Sequence, residues 1–101
     1  MGAYVALLLV DLHFPQAGSL KAKRKELSSI KAQLSGRLGV AVSETGYQDL
    51  WQRATLTAAL TGGSLRRLAA AADEVERWVL ARCPDGASVE RLVASVEDLR
   101  G

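Results

Sequence analysis

The sequence predicts an α+β fold of two layers, with four strands in one antiparallel sheet and two helices packed on a single face. Three observations predict it. A nearly unbroken apolar run, AYVALLLVDLHF, opens the chain at residues 3–14. Two later stretches repeat apolar residues at helical spacing, each introduced by glycine and serine. Between them, Leu50 to Leu60 alternates apolar and polar residues as a half-buried strand does. At 101 residues the chain can bury one such core and is too short for a second.

The opening run reads as a central strand covered on at least one face, and Pro15 ends it. Its even positions, Ala6, Leu8, Val10 and Leu12, are expected to face the helices. Leu7, Leu9, Asp11 and His13 then lie on the open face. Ala17-Gly18-Ser19 supplies a turn and an N-cap, after which Leu20, Leu27, Ile30, Leu34 and Leu38 form the apolar stripe of a helix over roughly 19–36. Gly36 and Gly39 stop it, and Val40, Val42 and Glu44 alternate with Ala41, Ser43 and Thr45 as a second strand.

A hairpin at Gly46 leads into the third strand, from Leu50. Ala54, Leu56, Ala58 and Leu60 share one side with Leu50, and Trp51, Arg53, Thr55 and Thr57 the other. Gly62-Gly63-Ser64 then caps a second helix whose stripe is Leu65, Leu68, Ala69, Ala72, Val75 and Val79, ending before Pro84. In the tail, Val89, Leu92, Val93, Val96 and Leu99 sit at helical spacing. A helix there would leave the edge beside the first strand unpaired, so the tail is read as a fourth strand. The resulting order, strand-helix-strand-strand-helix-strand, is the split βαβ or ferredoxin-like sandwich, with spatial strand order 4-1-3-2.

Composition narrows the function. A hydrophobic share of 49% with 24% charged residues is an ordinary globular balance. The opening apolar run is far shorter than the ~20 residues of a membrane span. With no basic residue ahead of it the run does not read as a secretion signal, so the expectation is a cytoplasmic protein without a membrane role. One cysteine, Cys83, and one histidine, His13, give no internal disulfide and too few soft ligands for zinc, and no cofactor motif is present. Net charge is only +2, so any nucleic-acid surface has to be local.

The topology gathers the unusual residues at one end of the sandwich: His13, Lys21 to Lys25, Gln48 to Arg53 and Cys83 to Gly86. Lys21, Lys23, Arg24 and Lys25 open a helix whose N-terminus already carries partial positive charge, a combination that suits a bound phosphate. The plainer reading makes them solvated side chains on the outer face of the helix. Gln48, Trp51 and Arg53 place an aromatic ring and a cation where RNA-binding sheets build stacking sites. Alternatively, Trp51 covers a sheet edge or a dimer contact. Pairing of the first and third strands that matches opposite charges sets Asp11 against Arg53 and His13 against Trp51. His13 has no serine partner in a motif, and Cys83 beside Pro84 reads as a packing residue.

Leu12-His13-Phe14-Pro15, Ser19-Leu20-Lys21-Ala22-Lys23-Arg24 and Gln48-Asp49-Leu50-Trp51-Gln52-Arg53-Ala54 resemble the signatures of the YlxP-like family, a bacterial family of unknown function. The resemblance covers nearly the whole chain and implies a ferredoxin-like fold. Members often lie near genes for translation initiation and ribosome maturation factors, which implies work with RNA or ribosomal particles. The resemblance supplies no catalytic residue. It departs at Leu9, where similar sequences often carry a basic residue, and the apolar open face with Leu7 and Leu9 fits a homodimer contact as the alternative. A third reading, an acylphosphatase-like hydrolase, needs an asparagine to position water, and the chain contains none.

Overall fold

The computed structural model describes residues 2–101. In chain order it contains β1 (Tyr4–His13), α1 (Leu20–Arg37), β2 (Ala41–Gly46), β3 (Arg53–Gly62), α2 (Leu65–Arg82), β4 (Ala87–Ser95) and α3 (Val96–Arg100). The sheet order is β2-β3-β1-β4, which is the expected 4-1-3-2 read from the other edge, and every neighbouring pair is antiparallel. The fold is therefore the α+β, ferredoxin-like arrangement.

Period-two alternation decides which side of the sheet is buried. Ala6, Leu8, Val10 and Leu12 of β1 and Ala54, Leu56 and Ala58 of β3 are sealed beneath the helices. They meet Leu27, Ile30 and Leu34 of α1 and Leu68, Ala72, Val75 and Val79 of α2. Truncating any of these leucines to alanine removes about 2–5 kcal/mol. Both helices start at a serine: the Ser19 hydroxyl accepts from the Ala22 amide at 3.0 Å, and the Ser64 hydroxyl from Arg67 at 3.2 Å. Such caps contribute about 1 kcal/mol each. At the far end of α1, Gly39 takes the left-handed φ of 69° that a side chain would resist, and the chain turns into β2.

Four details differ from the sequence expectation. β3 begins at Arg53 rather than Leu50, so Trp51 lies on a loop and not on the sheet. The β1/β3 register sets His13 against Arg53 and Asp11 against Thr55, two residues away from the charge-matched pairing. Leu65 and Ala69 do not join the α2 stripe: both are exposed, Leu65 at 55%, and the buried stripe is Leu68, Ala72, Val75 and Val79. The tail is a strand only to Ser95. There a capping box, in which the Ser95 hydroxyl accepts from the Asp98 amide and the Asp98 carboxylate accepts from the Ser95 amide, starts the short α3.

Candidate functional site

The geometry of the candidate site begins with the stripe of α1. Leu20, Leu27, Ile30 and Leu34 follow steps of three and four only if position 23 also points inward, and position 23 is a lysine. Lys23 is 0% exposed. Its aliphatic stem takes an apolar slot, and its ammonium reaches the end of the sheet where the chain leaves β2 and returns as β3. There Nζ donates to the backbone carbonyls of Leu50 at 2.6 Å, Tyr47 at 2.7 Å and Arg53 at 3.1 Å. Three protons are matched by three short acceptors. The Gln48 carbonyl at 3.5 Å and Glu44 Oε2 at 3.9 Å complete the surroundings, the carboxylate acting through charge rather than as a hydrogen-bond acceptor. Lys23 therefore cannot serve in an exposed phosphate-binding cluster: the helical period turns it into the core, where carbonyl dipoles replace water around its charge.

That ammonium is hydrogen-bonded to a loop that has few other hydrogen bonds among the described residues. Tyr47 holds a φ of 60°, unfavourable for any residue with a side chain, and its carbonyl points inward to Lys23. The loop side chains project outward, with Tyr47 at 40%, Leu50 at 50% and Trp51 at 51% exposure. Lys21, Arg24 and Lys25 stand exposed in the first turns of α1, and Arg24 Nη2 reaches the loop, donating at 3.4 Å to the Gln48 carbonyl. Among the described residues none of these three cations lies within 4.0 Å of a carboxylate. Gln48 is exposed at the same corner. The structure thus brings Arg24 to Gln48, leaves Lys21, Lys25 and Trp51 exposed on α1 and the loop, and removes Lys23 from among the exposed cations.

Arg53 belongs to the neighbouring open face. Its Nε and Nη2 donate to Asp11 Oδ1 at 3.2 Å and Oδ2 at 2.8 Å, and its guanidinium lies 4.2 Å from the centre of the Tyr47 ring. The hydrogen bonds from Arg53 hold the Asp11 carboxyl below its ordinary range, against the smaller opposing effect of burial. These groups line a hollow of about 240 Å³ with Leu9, Thr55, Ser88 and Glu90. Further along, Leu7 faces Leu92 across β1 and β4, the two being 39% and 48% exposed.

His13 and Cys83 line a second hollow, of about 140 Å³, behind this end. The His13 amide donates to the Gly86 carbonyl at 2.9 Å, and the His13 side chain stays exposed. Burial pushes the Cys83 thiol up, the reverse of what a thiolate nucleophile needs. The sequence reading missed the roles of Lys23, Tyr47 and Glu44. For Lys23 the signal was present as the unfilled place in the apolar stripe.

Comparison with known proteins is consistent with this fold and silent on chemistry. A family model described as "Protein of unknown function (DUF503)" matches residues 5–98. A curated relative from Bacillus subtilis (strain 168), "Uncharacterized protein YlxP", is 38% identical over a 73-residue alignment that covers 62% of this chain and 79% of the relative. Among solved structures, "De novo designed protein Foldit4" superposes with a TM-score of 0.56 at 10% identity, covering 91% of this chain and 96% of its own. That likeness concerns the fold alone.

Proposed function

This chain belongs to the DUF503 family of proteins of unknown function, and from that premise we propose that it is a non-catalytic, cytoplasmic RNA-binding protein that works on ribosomal particles. One observation carries the reading: Trp51 is half exposed on the loop whose Gln48 carbonyl accepts from Arg24, and Lys21, Arg24 and Lys25 stand exposed at the start of α1 with no carboxylate within 4.0 Å among the described residues. A ring that presents its face can stack on an unpaired base, and the cations beside it suit the adjoining phosphates. Gln48 adds an amide for base edges or sugar hydroxyls. The chemistry favours a single-stranded segment, since a base inside a duplex offers no face to Trp51.

A second reading rests on a different observation. Leu7 and Leu92 form an exposed apolar pair in the middle of the open face, away from the basic corner, and would suit a dimer in which two such faces meet. An acyl-phosphate hydrolase has weaker support, because Arg53 is engaged by Asp11 and no asparagine exists to position water.

The deciding experiment is ultraviolet cross-linking in cells followed by recovery of RNA bound to the protein, with co-sedimentation of ribosomal particles in parallel. Cross-links that map to Trp51 and the start of α1 are expected. Absence of both RNA and particles would retire the proposal and leave the open-face dimer ahead.

A further inference from the structure

We propose that Lys23 is the positioning residue of the Trp51 loop, its ammonium serving as a tethered monovalent cation in a cage of backbone carbonyls. The role rests on the RNA-binding reading for its purpose but not for its physics. Carbonyls of Tyr47, Leu50 and Arg53 converge on Nζ at 2.6–3.1 Å, with Gln48 at 3.5 Å and the Glu44 carboxylate behind. Convergent carbonyls are what proteins use to replace the hydration shell of potassium. Here the cation is supplied by the helix instead of the solvent.

The loop needs it. Among the described residues, the hydrogen bonds of residues 47–52 besides those from Lys23 are Leu50 N–H to the Tyr47 carbonyl, Phe14 N–H to the Gln52 carbonyl, and the long Arg24 contact to Gln48. Its large side chains are exposed, so apolar burial does not order it. Without the ammonium, carbonyls of four residues would point at one another across an empty slot, and Tyr47 would have no reason to keep its left-handed backbone. Release of that residue would free Trp51 on one side and the ring beneath Arg53 on the other.

Lys23 therefore influences RNA affinity without touching RNA, and the distinction is measurable. A lysine that contacts phosphate contributes to the salt dependence of binding, and its removal flattens that slope; a lysine that only orders a loop lowers affinity at every salt concentration alike. The test uses Lys23→Met, which keeps the apolar stem, and Lys23→Ala, which empties the slot. Both are expected to melt cooperatively, with backbone order parameters for residues 47–52 falling from rigid values toward about 0.6 while β1 and β3 stay rigid. In Lys23→Ala, ammonium chloride should restore the order, and tetramethylammonium chloride at the same concentration should not. Affinity for a single-stranded RNA that the wild type binds should fall about tenfold with an unchanged salt slope, whereas Lys21→Met should reduce the slope.

A loop that stays rigid in both variants overturns the proposal, as does failure of ammonium to restore order. Global unfolding of both variants also overturns it, because the ammonium would then support the whole fold rather than the loop. If the wild type binds no RNA, the function proposed above fails, and the relaxation and ammonium measurements still decide the role of Lys23.

Discussion

Asp11 and Arg53 stand two residues out of register on adjacent strands, yet their side chains meet in a two-point ion pair at 2.8 and 3.2 Å. The reach of arginine closes the diagonal, and the guanidinium lies over the Tyr47 ring. The pair links the open face to the loop. It is partly solvated, with side-chain exposures of 30% for Asp11 and 39% for Arg53, so its effect on stability is small and screened by salt.

The sign of its pH dependence follows from Asp11. Because the folded carboxyl titrates below its unfolded value of 3.8, the pair stabilises the fold above that value and ceases to do so as pH falls through the folded one. Asp11→Asn should therefore melt below the wild type at neutral pH, with the two curves converging in acid. Thermal melts recorded from neutrality down to about pH 2 check it. A difference that persists undiminished at the acid end would show that the asparagine disturbs packing instead.

Most of the fold is legible in the sequence, because strand alternation and helical stripes are direct images of burial. Leu8, Leu12, Ile30, Leu34, Leu56 and Val79 are all expected inside and all found there. The register is less legible. Opposite charges at Asp11 and Arg53 argue for facing positions, but a long side chain satisfies the same pairing from two residues away, so charge matching leaves the offset open. Lys23 is hidden by its type: the stripe of α1 has a vacancy that only position 23 fills, yet lysine normally belongs in solvent. Trp51 illustrates the same limit. Alternation from Leu50 onward continues the strand pattern, yet the carbonyls of Tyr47 and Leu50 turn to Lys23 and β3 starts only at Arg53. The Ser95 to Asp98 box was readable as a helix start, but Val96 and Leu99 also fit the longer periodic tail.

Gly86 should tolerate no side chain. It adopts a φ of 154°, and an added Cβ would lie 2.9 Å from the Cβ of His13, an atom with no freedom to move aside. Gly86→Ala is expected to cost about 1–3 kcal/mol, measured by urea unfolding. The loss should appear without any change in RNA binding, since the side chain that an added Cβ would meet is that of His13 and not Trp51 or an exposed cation. An unaltered stability would mean that the chain relaxes away from His13 just ahead of β4.

Charge reversal at Lys21 and Arg24 separates affinity from folding. Both side chains are exposed and free of carboxylate partners among the described residues, so Lys21→Glu with Arg24→Glu should leave the melting transition cooperative and close to that of the wild type. RNA affinity should fall strongly, and its dependence on salt should flatten by about one unit of slope for each phosphate contact removed. Titrations at several salt concentrations check both. Binding indifferent to the substitutions and to salt would return these side chains to solvent.

Trp51 distinguishes the two functional readings through a single truncation. The ring is 51% exposed on a loop outside the sheet, so Trp51→Ala should fold and melt nearly as the wild type does. If the ring stacks on a base, the variant loses about 1–3 kcal/mol of RNA affinity while its sedimentation behaviour is unchanged. If the ring instead anchors a contact between copies, the same variant dissociates in sedimentation, and Leu92→Glu on the open face does so with it, because Leu92 lies on the apolar strip such a contact would cover. The expected outcome is the first. A dissociating Trp51→Ala whose RNA affinity equals that of the wild type would make Trp51 a contact between copies and remove it from the RNA surface.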